Sequence, residues 1–219
     1  MRQLSIAIIL VYLVFCANLY QPVFSAVKAG IEYNTPIDYS NMSETDLNFR
    51  ARDYFIKILD EPDNKITENI TNALFLYSVL QNLNPEHTEY SVKLGILYDK
   101  ISKDRYAKSN YARAIQTNRQ NPKPYFYYAE FYYKRENYRK ALKYYNEAYK
   151  LGFDKNYSTL YKIADIYEKF GDTRSALKYF KEAQLIKENQ DLLDKISKLE
   201  QNNTQNKEIY KNTRIRIEQ

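Results

Sequence analysis

At 219 residues the chain has room for one domain or an elongated array of repeats. A hydrophobic content of 44% supplies a core and excludes a disordered chain, while only four Gly and six Pro leave little material for the tight turns of an all-β fold. The net charge of +6 is carried by interleaved Lys and Glu, which reads as a solvated helical surface and lacks the basic block that nucleic-acid binding calls for.

In chain order the first feature is an apolar run over residues 4–20, broken only by Ser5 and Asn18 and preceded by a single Arg2. Gln21-Pro22 breaks the helix, and Val23-Phe24-Ser25 presents a cleavage site, so residues 1–25 are expected to be a signal peptide removed after Ser25. Val27-Lys28-Ala29 is a second site; failure of both leaves a membrane anchor over residues 4–20 with Arg2 on the cytoplasmic side. The run is shorter than the ~20 residues that span a bilayer, which favours cleavage. The only cysteine, Cys16, lies inside it behind Phe15, where a lipid-attachment site wants a small residue, so the mature chain is expected to carry no thiol chemistry. Localisation follows as secreted, periplasmic or cell-envelope.

Residues 26–42 show no apolar period and read as a linker. Ser43-Glu44-Thr45-Asp46 then opens the folded part as a capping box, and residues 43–87 form a divergent first hairpin whose halves are separated by Asp60-Glu61-Pro62-Asp63-Asn64-Lys65. From residue 88 a repeat is plain. Gly95, Tyr98, Ala107, Tyr111 and Ala114 are followed by Ala129, Tyr132, Ala141, Tyr145 and Ala148, then by Ala164, Tyr167, Ala176, Phe180 and Ala183, at spacings of 34 and 35 residues. Each unit holds two apolar helical stretches joined by a polar bend, at Ser102-Lys103-Asp104, Arg135-Glu136-Asn137 and Phe170-Gly171-Asp172. Units are expected at 88–121, 122–156 and 157–190, a capping helix at 191–201 with Leu192, Leu193, Ile196 and Leu199 on one face, and a disordered tail at 202–219.

Tyr125-x2-Tyr128-Ala129-x2-Tyr132 with Ala141-x3-Tyr145, and Leu160-x2-Ile163-Ala164-x2-Tyr167 with Ala176-x3-Phe180, resemble the tetratricopeptide repeat family. In the unit before them Leu94-Gly95-x2-Tyr98 fits while Ser91 replaces the bulky opener. The resemblance implies an all-α fold, an α-solenoid of tandem helical hairpins closed by the C-terminal capping helix. Small residues sit where helices cross closely, and aromatic or branched neighbours fill the space around them. It also implies a groove lined by the first helix of each hairpin. The groove face reads Val92, Ile96 and Asp99, then Phe126, Glu130 and Tyr133 with Tyr127 at the edge, then Tyr161, Asp165 and Glu168. In PYFYYAEFYYK, residues 124–134, the register assigns Tyr125, Tyr128 and Tyr132 to the core, Phe131 to the neighbouring hairpin and Phe126 and Tyr133 to the groove. Members of the family that bind chaperone tails hold a terminal carboxylate with Lys, Arg and Asn; Val92, Phe126 and Tyr161 stand where such basic groups would be, which argues against that ligand.

Catalysis finds little support. The single histidine, His87, lies beside Pro85-Glu86 at a repeat junction, and the four glycines form no phosphate loop. Glu130 and Asp165 occupy equivalent places in adjacent repeats but lack any accompanying nucleophile or metal-ligand set. No cofactor or metal is expected. The expected function is a non-enzymatic scaffold that holds a protein or peptide partner outside the cytoplasm, with membrane contact only if residues 4–20 stay uncleaved. An envelope accessory protein binding glycan or peptidoglycan is the alternative, since rings and carboxylates suit both; an enzyme of unknown type is the third. Exposed Arg139, Lys140, Lys143, Lys178 and Lys181 serve solubility.

Overall fold

The structure is a computed structural model that describes residues 41–217, with side chains up to residue 205 and at Glu208. The expected signal peptide, its cleavage sites and nearly all of the linker lie outside the described residues. Helices run in the order α1 (Glu44–Lys57), α2 (Glu68–Leu83), α3 (Thr88–Lys100), α4 (Asp104–Thr117), α5 (Pro122–Lys134), α6 (Tyr138–Ala148), α7 (Tyr157–Lys169), α8 (Thr173–Ile186) and α9 (Gln190–Ile217), with a 3-10 turn at Ile58–Asp60 and a π turn at Tyr149–Phe153. The chain divides into two units, Met1–Arg119 and Gln120–Gln219. Both are built of antiparallel helical hairpins, α1/α2 and α3/α4 in the first, α5/α6 and α7/α8 in the second. The all-α tandem-hairpin fold expected from the repeat is the fold observed.

Polar side chains set the helix starts. Ser43, Thr67, Asn121, Asn137, Asn156 and Asp172 each accept a hydrogen bond from a backbone N–H of the first turn, satisfying donors that have no intrahelical partner. The hairpin bends share one device. Ser102, Glu136 and Gly171 all take positive φ (56°, 56° and 76°). The following N–H then reaches back to the carbonyl five residues earlier, Lys103 to Tyr98, Asn137 to Tyr132 and Asp172 to Tyr167, at 2.8, 3.0 and 2.9 Å. This closes α3, α5 and α7 with a Schellman turn. Only the last bend uses glycine, the residue with no left-handed penalty.

In the first unit, Tyr77 of α2 is fully buried, edge-on to Phe55 of α1 (centroids 6.1 Å) and beside Tyr90 of α3 (6.3 Å). Gly95 answers for the α3/α4 crossing, because a Cβ there would stand 2.6 Å from the ring of Tyr111. The extra segment between α1 and α2 is tied down: Lys100 Nζ donates to the Glu61 carbonyl (2.6 Å) and to Asp63 (3.0 Å), Asn64 N–H donates to the Lys100 carbonyl (2.7 Å), and Ser102 donates to Asn64. Lys100 therefore anchors an insertion.

In the second unit Ala129, Ala141, Ala148, Ala164, Ala176 and Ala183 are all fully buried at the crossings, as the register requires. Leu192 and Ile196 of α9 close the α7/α8 hairpin over Leu160 and Phe180. Three expectations change. Leu193, expected on one face with Leu192, Ile196 and Leu199, is exposed, because it lies about 100° around the helix from Leu192. Tyr125, assigned to the core, is half-buried, because it opens α5 one turn outside the layer filled by Tyr128 and Tyr132. Helix α9 continues beyond residue 201, where a disordered tail was expected, to Ile217. No Gly or Pro follows Gly171, so nothing in that stretch interrupts helical hydrogen bonding.

Candidate functional site

Val92, Ile96 and Asp99 belong to the first unit and the other seven expected groove residues to the second. Val92 leaves the candidate set. It is only 4% exposed, since its two methyl groups end inside the packed layer. The rings at the same register, Phe126 and Tyr161, extend further and stay half-buried. Ile96 and Asp99 are half-buried as well.

Phe126, Tyr127, Glu130, Tyr133, Tyr161, Asp165 and Glu168 are all half-buried on α5 and α7, where spacings of three and four residues place them along one side of each helix. Phe126 meets Tyr145 of α6 edge-on at 5.9 Å, Phe153 at 5.8 Å and Tyr127 at 5.3 Å. Tyr161 lies 5.9 Å from Tyr157 in a stacked pair and meets Phe180 of α8 edge-on at 5.4 Å. These rings form two equivalent aromatic corners, one per hairpin.

Tyrosines hold the two carboxylates Glu130 and Asp165. The Tyr145 hydroxyl donates to Glu130 Oε1, and the Tyr133 hydroxyl donates to Asp165 Oδ2 at 2.5 Å. Burial, followed by the adjoining carboxylates, pushes both phenols well above the usual tyrosine range, so they remain donors at any physiological pH. Each contact is a charge-assisted hydrogen bond.

Cations then distinguish the two corners. Lys195 of α9 forms a 2.6 Å ion pair with Glu168, approaches Asp165 at 3.9 Å, and lies over the Phe180 ring at 4.6 Å; Lys169 adds a 3.6 Å contact to Asp165. Lys162 of α7 lies over the Tyr133 ring at 3.8 Å. Glu130 has no cation in salt-bridge contact among the described residues, and its hydrogen-bond partner is Tyr145. Sequence reasoning placed Tyr145 in the core, where it is fully buried, without its hydrogen bond to Glu130, and it missed Lys162 and Lys195 as neighbours of this face. A signal was present for the lysines, because each stands six residues after a helix-capping asparagine, Asn156 or Asn189.

His87, given no catalytic role, is exposed and stacks on Tyr90 at 4.0 Å. Among the described residues no cluster of three His, Cys, Asp or Glu side chains is placed to hold a metal ion, and no helix is long and apolar enough to cross a membrane.

Residues 123–188 match the family model described as tetratricopeptide repeat. No curated protein matches. Among solved structures, pilF of Pseudomonas aeruginosa superposes with a TM-score of 0.58 at 14% identity, covering 73% of this chain and 72% of that one. A thermophilic TPR protein of Thermus thermophilus gives 0.55 at 16% identity over 73% and 82% of the two chains, and a MamA protein gives 0.52 at 16% over 72% and 90%. At these identities the likeness is one of fold. No catalytic family is indicated by any of these matches.

Proposed function

Because this chain is a tetratricopeptide-repeat protein, we propose that it is a non-enzymatic scaffold that uses the ring-and-carboxylate face of α5 and α7 to hold a peptide segment carrying apolar and cationic side chains. The observation that carries this reading is Glu130, a half-buried carboxylate fixed by Tyr145, flanked by Phe126 and Tyr133, and left without a counter-ion among the described residues. Taking a carboxylate partly out of water is costly unless it is paired, and one hydroxyl offsets only part of that cost. An arriving ammonium or guanidinium would complete the pairing and lie against ring faces that attract cations. Lys195 supplies an internal example one hairpin further on, where an ammonium rests on Glu168 and Phe180. We place this activity outside the cytoplasm on the strength of residues 1–25, whose apolar run and cleavage site have the form of an export signal.

Selection of displayed peptides on the full chain tests the binding face. Wild type should enrich peptides that combine Lys or Arg with aromatic or aliphatic residues, and Phe126→Ala combined with Glu130→Gln should lose them while it still unfolds in one cooperative transition. Enrichment of the same peptides by both proteins would move the binding face elsewhere. Mass spectrometry of the natively expressed protein tests export, with a mature N-terminus near Ala26 expected and a full-length chain in the membrane fraction contradicting it.

A further inference from the structure

The first unit carries a polar cleft of about 500 Å3 that the scaffold reading leaves unused. It is lined by Ser78 and Gln81 of α2, Tyr98 of α3, and Tyr106, Ser109 and Arg113 of α4, among others. Along it an amide network joins buried Gln81 to half-buried Asn110 and exposed Arg113. Gln81, only 9% exposed, donates to Ser91 Oγ at 2.7 Å and to Asn110 Oδ1 at 3.3 Å, and Asn110 in turn donates to the Tyr106 carbonyl at 3.0 Å. The one remaining acceptor of that network, Gln81 Oε1, takes a hydrogen bond from Arg113 Nη1 at 2.8 Å.

Counting donors and acceptors gives the chemistry. Gln81 uses both of its N–H donors and its oxygen within the network, and Asn110 uses its oxygen and one N–H. Arg113 has used one of the five N–H donors that a guanidinium carries, and no carboxylate is in salt-bridge contact with it among the described residues. The cleft therefore presents an exposed guanidinium held at one nitrogen, with its other N–H donors free of any carboxylate in salt-bridge contact among the described residues. A volume of this size lies within the range of small-ligand sites. We infer that this cleft binds a carboxylate, received by the Arg113 fork that Gln81 holds in place. A guanidinium held at one nitrogen presents its remaining edge in a fixed plane, the geometry that planar, bidentate carboxylates match.

Fluorescence anisotropy on the full chain with two labelled probes tests the site and separates its sources. Acetyl-hexaglutamate amide offers only side-chain carboxylates, and acetyl-hexaglutamine with a free C-terminus offers only a terminal one. At least one should bind saturably. Arg113→Gln should weaken it by about tenfold or more, the loss expected when a charged hydrogen-bonded partner is removed. Arg113→Lys, which keeps the charge and loses the fork, should also bind poorly, and Lys108→Gln, an exposed basic neighbour on α4, should bind as wild type does. Whichever probe responds to Arg113 names the source of the carboxylate. The inference is overturned if neither probe binds, if inorganic phosphate displaces the probe as well as free acetyl-glutamate does, or if Arg113→Gln binds normally. It is equally overturned if Arg113→Lys retains wild-type binding or if Lys108→Gln weakens binding as much as Arg113→Gln.

Discussion

The two units place a tyrosine in the same slot of their second helices, Tyr77 in α2 and Tyr145 in α6, four residues after a fully buried alanine in each case. Both rings are buried at the crossing with the first helix of their hairpin. The hydroxyls differ: that of Tyr145 donates to Glu130, while that of Tyr77 is buried with no hydrogen-bond partner among the described residues. The cause is one residue. Glu130 follows the small residue Ala129 of α5, and at the matching place after Ala51 of α1 stands Arg52, a donor that offers the phenol no acceptor. An identical packing slot is thus satisfied in one unit and left wanting in the other, because the repeat specifies the ring and leaves the face beside it free to vary.

Emptying the slot is the largest test of this comparison. Tyr145→Ala and Tyr77→Ala should each cost about 3–5 kcal/mol, measured by chemical denaturation, since both remove a fully buried ring. A loss below ~1 kcal/mol in either would show that the slot is not a shared core position. Next come the crossings. Ala176→Leu in the second unit and Gly95→Ala in the first should each cost on the order of 1–3 kcal/mol by overpacking, Gly95→Ala because its new Cβ meets the Tyr111 ring at 2.6 Å. An unchanged melting temperature would mean that the helices separate more easily than the buried alanines indicate.

The hydroxyls give the sharpest contrast. Tyr145→Phe should lose about 1–2 kcal/mol by removing a hydrogen bond to a charged group, whereas Tyr77→Phe should range from neutral to a gain of about 1 kcal/mol, because a buried unsatisfied hydroxyl disappears. Equal losses would place a partner on Tyr77. A smaller effect concerns the bends. Glu136→Gly should stabilise by up to ~1 kcal/mol, because its φ of 56° suits glycine as the corresponding Gly171 already does; a lower melting temperature would contradict it. The smallest concerns Asp172, whose carboxyl accepts from Ser175 and is held below its ordinary value of 3.8 for that reason. A depressed carboxyl contributes stability above its unfolded pKa and loses it as the pH falls through the lower folded value. Asp172→Asn, which keeps an acceptor but loses the charge, should therefore flatten the stability slope below about pH 4 and lower stability slightly at neutral pH, with no change of slope there. A changed slope at neutral pH instead would remove the cap from that account.

Much of the architecture was legible because it rests on local rules. Ser43 announces a helix start, and the alanines at 34- and 35-residue spacing mark the crossings. Helical periodicity placed the rings of the expected groove face on α5 and α7 off the packed side, and they are half-buried there. Periodicity failed at Val92, where it gave the direction of the side chain but not its reach, and at Tyr125, where the repeat slot lies at the edge of the packed layer.

By itself the sequence determined the hairpin, its repeat, its caps and the direction of each side chain, since these depend on contacts between near neighbours in the chain. Only the tertiary structure decided how the polar groups pair. The Tyr133 hydroxyl reaches Asp165 thirty-two positions on, Lys195 crosses from α9 to Glu168, and Arg113 settles on Gln81. Such pairs join long flexible side chains from different helices, and a shift of an ångström or two in helix position makes or breaks them. Residue spacing fixes which side of a helix a group occupies, and packing fixes what it meets there.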